Sequence, residues 1–292
     1  MRTLIAIAAL LVVPFGLSRA EGVPRAFDAP SDTVVEARTG DRVRVVLTQG
    51  RVVIENGRDD RLAADDDGDP EGVRIVRRGS TLEVTPRRPG AAPVLRIRVP
   101  LDVDVEVRGE DVDVDATGVR GTLSVQVVEG DLRARDIDGS AELRTISGDV
   151  DVRRVAGSVR AATVDGRVDV HDAGGDVSAE SMDGDVVVER VGGSDVEAVT
   201  VDGDVRFAGV IRPGGRVRLV THDGDVTAEV PEDTSADVEV STYDGEFMPD
   251  FPVRVGRVEA GRPLRFRMGS GGARLELQAF DGDIQLRSGP GR

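Results

Sequence analysis

The chain has 292 residues, no cysteine, no tryptophan, 3% aromatic residues and a formal net charge of −16. A core of useful size fits a chain this long, but it must be built from Val, Leu, Ile and Ala, without disulfides. The negative charge argues against nucleic acid and anionic lipid as partners, because phosphate binding needs concentrated positive charge.

The chain opens on Arg2, an apolar run over 4–15 broken only by Pro14, and Ser18-Arg19-Ala20 before Glu21. Small residues at 18 and 20 behind a short apolar run predict a secretory signal peptide over 1–20, cleaved after Ala20. No later apolar stretch approaches membrane length, so no transmembrane segment is expected in the mature chain. The expected localisation is exported, in the periplasm or at the cell surface.

Residues 21–110 read as an N-terminal β-strand region. Short Val-rich, mostly alternating runs at 42–47, 51–54, 73–76, 81–85, 94–99 and 102–107 carry the period of two that marks half-buried strands. Between them 58–72, with Asp65-Asp66-Asp67 and Asp69-Pro70, reads as a solvated acidic loop. It superficially resembles a calcium loop, but with Gly68 at the sixth position the first and twelfth ligands are Ala63 and Arg74, which cannot serve.

From 111 to 292 the chain is a repeat. Glycines fall every nine residues at 130, 139, 148, 157, 166, 175, 184 and 193, opening units such as GDVDVRRVA and GSVRAATVD. The second and fourth positions are apolar: Val150 and Val152, Val159 and Ala161, Val168 and Val170. Alternate units end in Thr or Ser, an apolar residue, Asp or Ser, then Gly: Thr145-Ile146-Ser147, Thr163-Val164-Asp165, Ser181-Met182-Asp183. The true period is therefore about 18 residues, with two short strands per coil. Val150, Val168 and Val186 should form one inward stack, with Val159 and Val177 on the facing sheet. The frame continues with insertions at Thr200-Val201-Asp202, Thr221-His222-Asp223, Thr242-Tyr243-Asp244 and Ala279-Phe280-Asp281. An irregular stretch over 247–272 is expected to carry the chain to terminal closing rungs, which protect an open sheet edge. The fold class is all-β, a parallel β-solenoid or β-helix.

The T-V-D-G-D-V frame, the segment Ser241-Thr242-Tyr243-Asp244-Gly245-Glu246 with Asp250-Phe251-Pro252, and the closing 269–277 followed by Asp281-Gly282-Asp283-Ile284 resemble the DUF4097 family of adhesin-type bacterial β-strand repeat proteins. The resemblance runs over roughly 27–287 and is most specific in the C-terminal half; the acidic stretch near Asp65–Asp69 departs from it. It implies a right-handed β-helix-like solenoid at the cell envelope, and offers no catalytic residues to carry over.

The residues themselves offer no catalytic, cofactor or metal site. The Asp-Gly-Asp turns would stack Asp165, Asp183 and Asp202 into a ladder, but the units lack the paired glycines of the calcium roll. Turn chemistry, with Gly at positive φ and Asp bonding the turn, is preferred over calcium. His171 and His222 are the only histidines, and His222 occupies a slot held elsewhere by Ile146, Val164, Met182 and Tyr243. It reads as a half-buried turn residue, and zinc is not expected. No hydrolase, P-loop or dinucleotide motif appears. The alternative is a β-helical polysaccharide-active enzyme using a carboxylate pair; short regular coils and missing aromatic platforms weigh against it. The expected function is a non-catalytic exported envelope protein, a scaffold or adhesion-type module. Its partner would be an envelope or surface macromolecule. Val187 and Val199, outward by the alternation, mark the only expected exposed apolar strip.

Overall fold

Alternating apolar and polar residues over four to six positions make strands, and Gly at the ends of those runs lets the chain turn every nine residues. In the computed structural model, residues 34–57, 60–88, 92–100, 102–251 and 263–289 are described. The signal-peptide expectation for 1–20 lies outside them. The described residues all belong to one compact unit, Asp32–Arg292. They form a β-solenoid with two ladders of strands around one apolar core.

The first ladder stacks Leu123–Gln126, Ala141–Arg144, Val159–Ala162, Val177–Glu180, Asp195–Val199 and Arg216–Asp223 in parallel. The second stacks Leu132–Ile137, Val150–Val155, Val168–Ala173, Val186–Glu189, Val205–Ala208 and Val226–Val230. Register puts Leu132, Val150, Val168 and Val186 over one another at 18-residue steps, and all are buried. Val159 pairs with Val177 on the facing ladder, as expected. Two long strands, Arg42–Asn56 and Asp104–Thr117, run from one ladder into the other and pair along both halves. The chain thus passes through position 110 inside a continuous strand.

The two ends break the sequential order in the same way. Arg42–Asn56 is sandwiched between Asp104–Thr117 on one side and Thr81–Pro86 with Val94–Val99 on the other. At the far end Ala273–Asp281 lies between Arg216–Asp223 and Ala236–Ser241, and Ile284–Ser288 lies between Val226–Val230 and Phe247–Pro249. The last coil in sequence is therefore intercalated, one rung inside the end, rather than closing it. The outer positions are held by Phe247–Pro249 and by Leu264–Met268, which pairs antiparallel with Ala236–Ser241. Antiparallel hairpin-type pairing reverses the direction of the edge and ends the parallel stack.

The expected acidic loop over 58–72 is corrected. Arg61–Asp66 is a strand, antiparallel to both Val34–Glu36 and Val94–Val99, with Leu62 and Ala64 buried. The Leu62-x-Ala64 alternation is present in the sequence, but the acidic residues that follow mask it. After Asp66 the Asp67-Gly68-Asp69 corner and a short 3-10 turn at Pro70–Gly72 leave the ladder, capped by the Asp69 side chain accepting the Glu71 N–H.

Candidate functional site

The repeated Thr-x-Asp-Gly-Asp corner is where the solenoid passes from the first ladder to the second. Its Gly residues take positive φ at every coil but that of Gly245, from +134° at Gly130 to +149° at Gly282, a region L side chains rarely enter. From Gly148 on, each also passes over the Gly of the neighbouring coil: a Cβ on Gly166 would lie 2.2 Å from the Gly148 carbonyl oxygen. The buried hydroxyls below satisfy those carbonyls. Thr163 Oγ1 donates to Gly148 O at 3.1 Å, Ser181 Oγ to Gly166 O at 2.9 Å and Thr200 Oγ1 to Gly184 O at 2.8 Å. The Asp after the Gly works upward. Asp131, Asp185, Asp204 and Asp225 each accept the N–H of the matching residue one coil on, at 2.8–3.1 Å. Three residues of the motif are thus fully explained by the stacking of coils.

Two residues of the motif are not. The Asp before the Gly stacks in isolated parallel bridges as Asp111, Glu129, Ser147, Asp165, Asp183, Asp202 and Asp223, with Asp281 and Asp244 completing the far end. Among the described residues no arginine forms an ion pair with any carboxylate of this column. Elsewhere several carboxylates are met by arginines. Arg44 meets Glu106, Arg206 meets Glu229, and Arg218 meets Glu197 and Glu276. At the other corner Asp136, Arg154, Asp172 and Arg190 sit at positive φ in successive coils, with Arg154 on Asp136 and Arg190 on Asp172, each at 2.6 Å. The unpaired column shows its strain at Asp202. Partial loss of water, and then the like charges of Asp223 and Asp183 on either side, raise its pKa above the ordinary carboxylate value.

Beside this acidic column runs an apolar one, the residue between Thr and Asp. Val128, Met182, Phe280 and Tyr243 are exposed, with Ile146, Val164, Val201 and His222 partly so. The column ends in three clustered rings: His222 against Phe280 at 4.6 Å with the planes tilted by 42°, and Phe280 stacked on Tyr243 at 4.9 Å with the planes 2° apart. Tyr243 remains 75% exposed. In chain order these residues run 222, 243, 280; in space Phe280 lies in the middle, because its coil is intercalated. His222 Nδ1 is buried 3.5 Å from Asp223 Oδ1 and makes no hydrogen bond. His171 lies on the second ladder with Nδ1 3.3 Å from Glu189, apart from this edge.

The exposed strip expected at Val187 and Val199 is corrected. Val187 is 7% exposed, in register between Asp169 and Arg206, and Val199 is half-buried. The longer side chains of such neighbours can cover an outward Val on a sheet face, whereas a corner leaves its residues open. The apolar column was visible in the sequence only as a turn slot; its continuity needs the three-dimensional stack. Two surface recesses, of about 320 and 580 Å³, are lined around Arg216, Asp237 and Arg274, and around Glu36, Arg38, Arg61 and Arg77. Each contains one carboxylate. Among the described residues no cluster of three or more His, Asp or Glu side chains is placed to hold a metal, and no helix is long and apolar enough to cross a membrane.

Residues 176–287 match the family model described as Toastrack DUF4097, so the family resemblance holds over the C-terminal coils. No protein of curated function matches the sequence. A crystal structure of a "putative cell adhesion protein" from Clostridium sporogenes ATCC 15579 is similar at 10% identity, over 87% of this chain and 94% of that one, with a TM-score of 0.19. A score that low carries no inference about this chain.

Proposed function

We propose that this Toastrack solenoid is a non-catalytic exported envelope module that acts by docking another macromolecule along its surface. The observation that carries the reading is the corner edge, where a partly to fully exposed apolar column and an acidic column without arginine partners among the described residues run together over successive coils. A solenoid presents long flat faces and edges rather than one deep pocket, and such surfaces suit extended contact. Exposed apolar residues in a continuous line, rimmed by charge, are characteristic of interaction surfaces.

The enzyme alternative draws less support. Glycoside hydrolysis needs two carboxyl groups facing each other across a substrate, about 5–9.5 Å apart, in a cleft. The two recesses offer Asp237 and Glu36 singly, each beside arginines. The carboxylates of the edge lie in register in a single column, one to a coil.

Two measurements test the proposal. Mass spectrometry of the native protein should find Glu21 at the N-terminus and the protein in envelope or extracellular fractions; an intact Met1 in the cytoplasm contradicts export. Purified mature chain should sediment with envelope particles and turn over none of their polysaccharides or esters. Turnover lost on replacing one carboxylate pair defeats the docking reading.

A further inference from the structure

The edge also indicates the chemistry of what it holds. Three observations combine. Arginines pair with carboxylates on both ladders and at the opposite corner, yet among the described residues none reaches the column of Glu129, Asp165, Asp183, Asp202, Asp281 and Asp244. The neighbouring apolar column is open although folding gains nothing from its exposure: Val128 and Met182 along its length, Phe280 and Tyr243 at its end. With one face against Phe280, Tyr243 still presents most of its surface to solvent.

We propose that this edge docks an extended arginine- or lysine-rich segment of a partner protein, its cations meeting the carboxylate column and the stacked Phe280–Tyr243 pair, and its aliphatic stems lying on the apolar column. The inference rests on the docking reading above and gives the partner its charge. A cation is drawn both to carboxylates and to the face of an aromatic ring, and guanidinium stacks on rings especially well. The spacing is also suited to such a segment. Coils stack about 4.8 Å apart, so alternate carboxylates stand about 9.6 Å apart. A polyproline-type extended segment has three residues per turn and rises about 3.1 Å each, returning to the same side every 9.3 Å or so. A basic residue at every third position therefore faces every second coil.

The test uses the mature chain and a labelled peptide of four Arg-Pro-Pro repeats, with a Glu-Pro-Pro peptide and maltohexaose as comparisons. Binding is read by fluorescence anisotropy for the peptides and by calorimetry for the sugar. The arginine peptide should bind saturably and weaken about 10-fold or more between about 50 and about 300 mM salt, as exposed charge pairs are screened. The triple variant Asp165→Asn/Asp183→Asn/Asp202→Asn should weaken it at least about 10-fold. Tyr243→Ala should weaken it by a similar factor, and Tyr243→Phe should restore it. A triple variant of equal charge change on the first ladder, Glu142→Gln/Glu180→Gln/Glu197→Gln, should stay within about 2-fold, because it leaves the edge intact. Equal losses in the two triple variants, no saturable binding, or retention of maltohexaose alone overturns the inference. Envelope sedimentation is measured on the same samples. If sedimentation persists while the peptide stays unbound, the cationic partner is refuted and the docking reading stands; if both fail, both fall.

Discussion

Replacing Gly166 by alanine tests the corner geometry at the atom where coils come closest. Gly166 has φ of +147°, and an added Cβ would stand 2.2 Å from Gly148 O and 2.7 Å from Gly148 C. The backbone conformation alone costs a non-glycine residue about 1–3 kcal/mol. The contact adds an overpacking cost of about 1–3 kcal/mol, since Gly148 cannot retreat. Its carbonyl accepts from Thr163, and it crosses Gly130 O as closely as Gly166 crosses it. We expect a loss of about 3–5 kcal/mol from the two terms together. The comparison is Gly68→Ala: φ is also positive, +90°, but nothing lies within 4 Å of the added carbon. That variant should lose only about 1 kcal/mol. Urea unfolding followed by circular dichroism gives both values. Hydrogen exchange over 148–186 shows whether the damage is local, because a repeat stack need not unfold in one step. Equal losses in the two variants would refute the claim that stacked Gly backbones set the corner.

Val168→Asp places a charge in the stack between Val150 and Val186 and should cost several kcal/mol or prevent folding, whereas Arg160→Ala on the exposed side should change stability by less than about 0.5 kcal/mol; equal melting temperatures would rule out the frame. Acidification should destabilise the fold below about pH 4. Arg154, Arg190 and Arg267 hold Asp136, Asp172 and Asp237 below the ordinary value of 3.8, and the N–H groups of Asp195 and Ser194 do the same for Asp176. A depressed carboxylate contributes stability above its unfolded pKa and loses it as pH falls through the folded one; Asp202, whose pKa is raised, has the opposite tendency. A melting temperature that rises on acidification through pH 4 would contradict this. Deleting 273–292 removes a rung from inside the stack, not from its end. It should therefore expose Arg216–Asp223 and Ala236–Ser241 to one another out of register and give an aggregating product; a soluble variant with native β content would contradict the rung order.

The central coils were legible because their two signals agree. Val at the second and fourth positions of each unit carries the strand period, and Gly every nine residues carries the turn. The ends were less legible, since rung order there departs from chain order. Nothing in 273–288 announces that its partners are Arg216–Asp223 and Ala236–Ser241 rather than its neighbours in sequence. Leu62 and Ala64 were hidden for another reason: the alternation is only two residues long, and the aspartates after it weigh toward a loop. The corner motif divides in the same way. Its Thr, Gly and second Asp repeat plainly in the sequence, but the hydroxyl and the carboxylate bond the neighbouring coil, where the sequence reading expected the Asp to bond its own turn. The Tyr243–Phe280–His222 ring cluster depends on the intercalated rung, and the ion pairs of the other surfaces depend on which Arg reaches which carboxylate across coils.

The central claim is that the corner edge serves binding while the rest of the motif serves folding. The most direct test is the Tyr243→Ala variant, because this side chain is 75% exposed. Its melting temperature and its sedimentation with envelope particles should be measured side by side with the wild-type chain. The account predicts a melting temperature within about 2 °C of wild type, as for a surface change of under about 0.5 kcal/mol, together with a clear loss of sedimentation. A drop in melting temperature with sedimentation unchanged would show that the ring supports the stack, and would contradict the account.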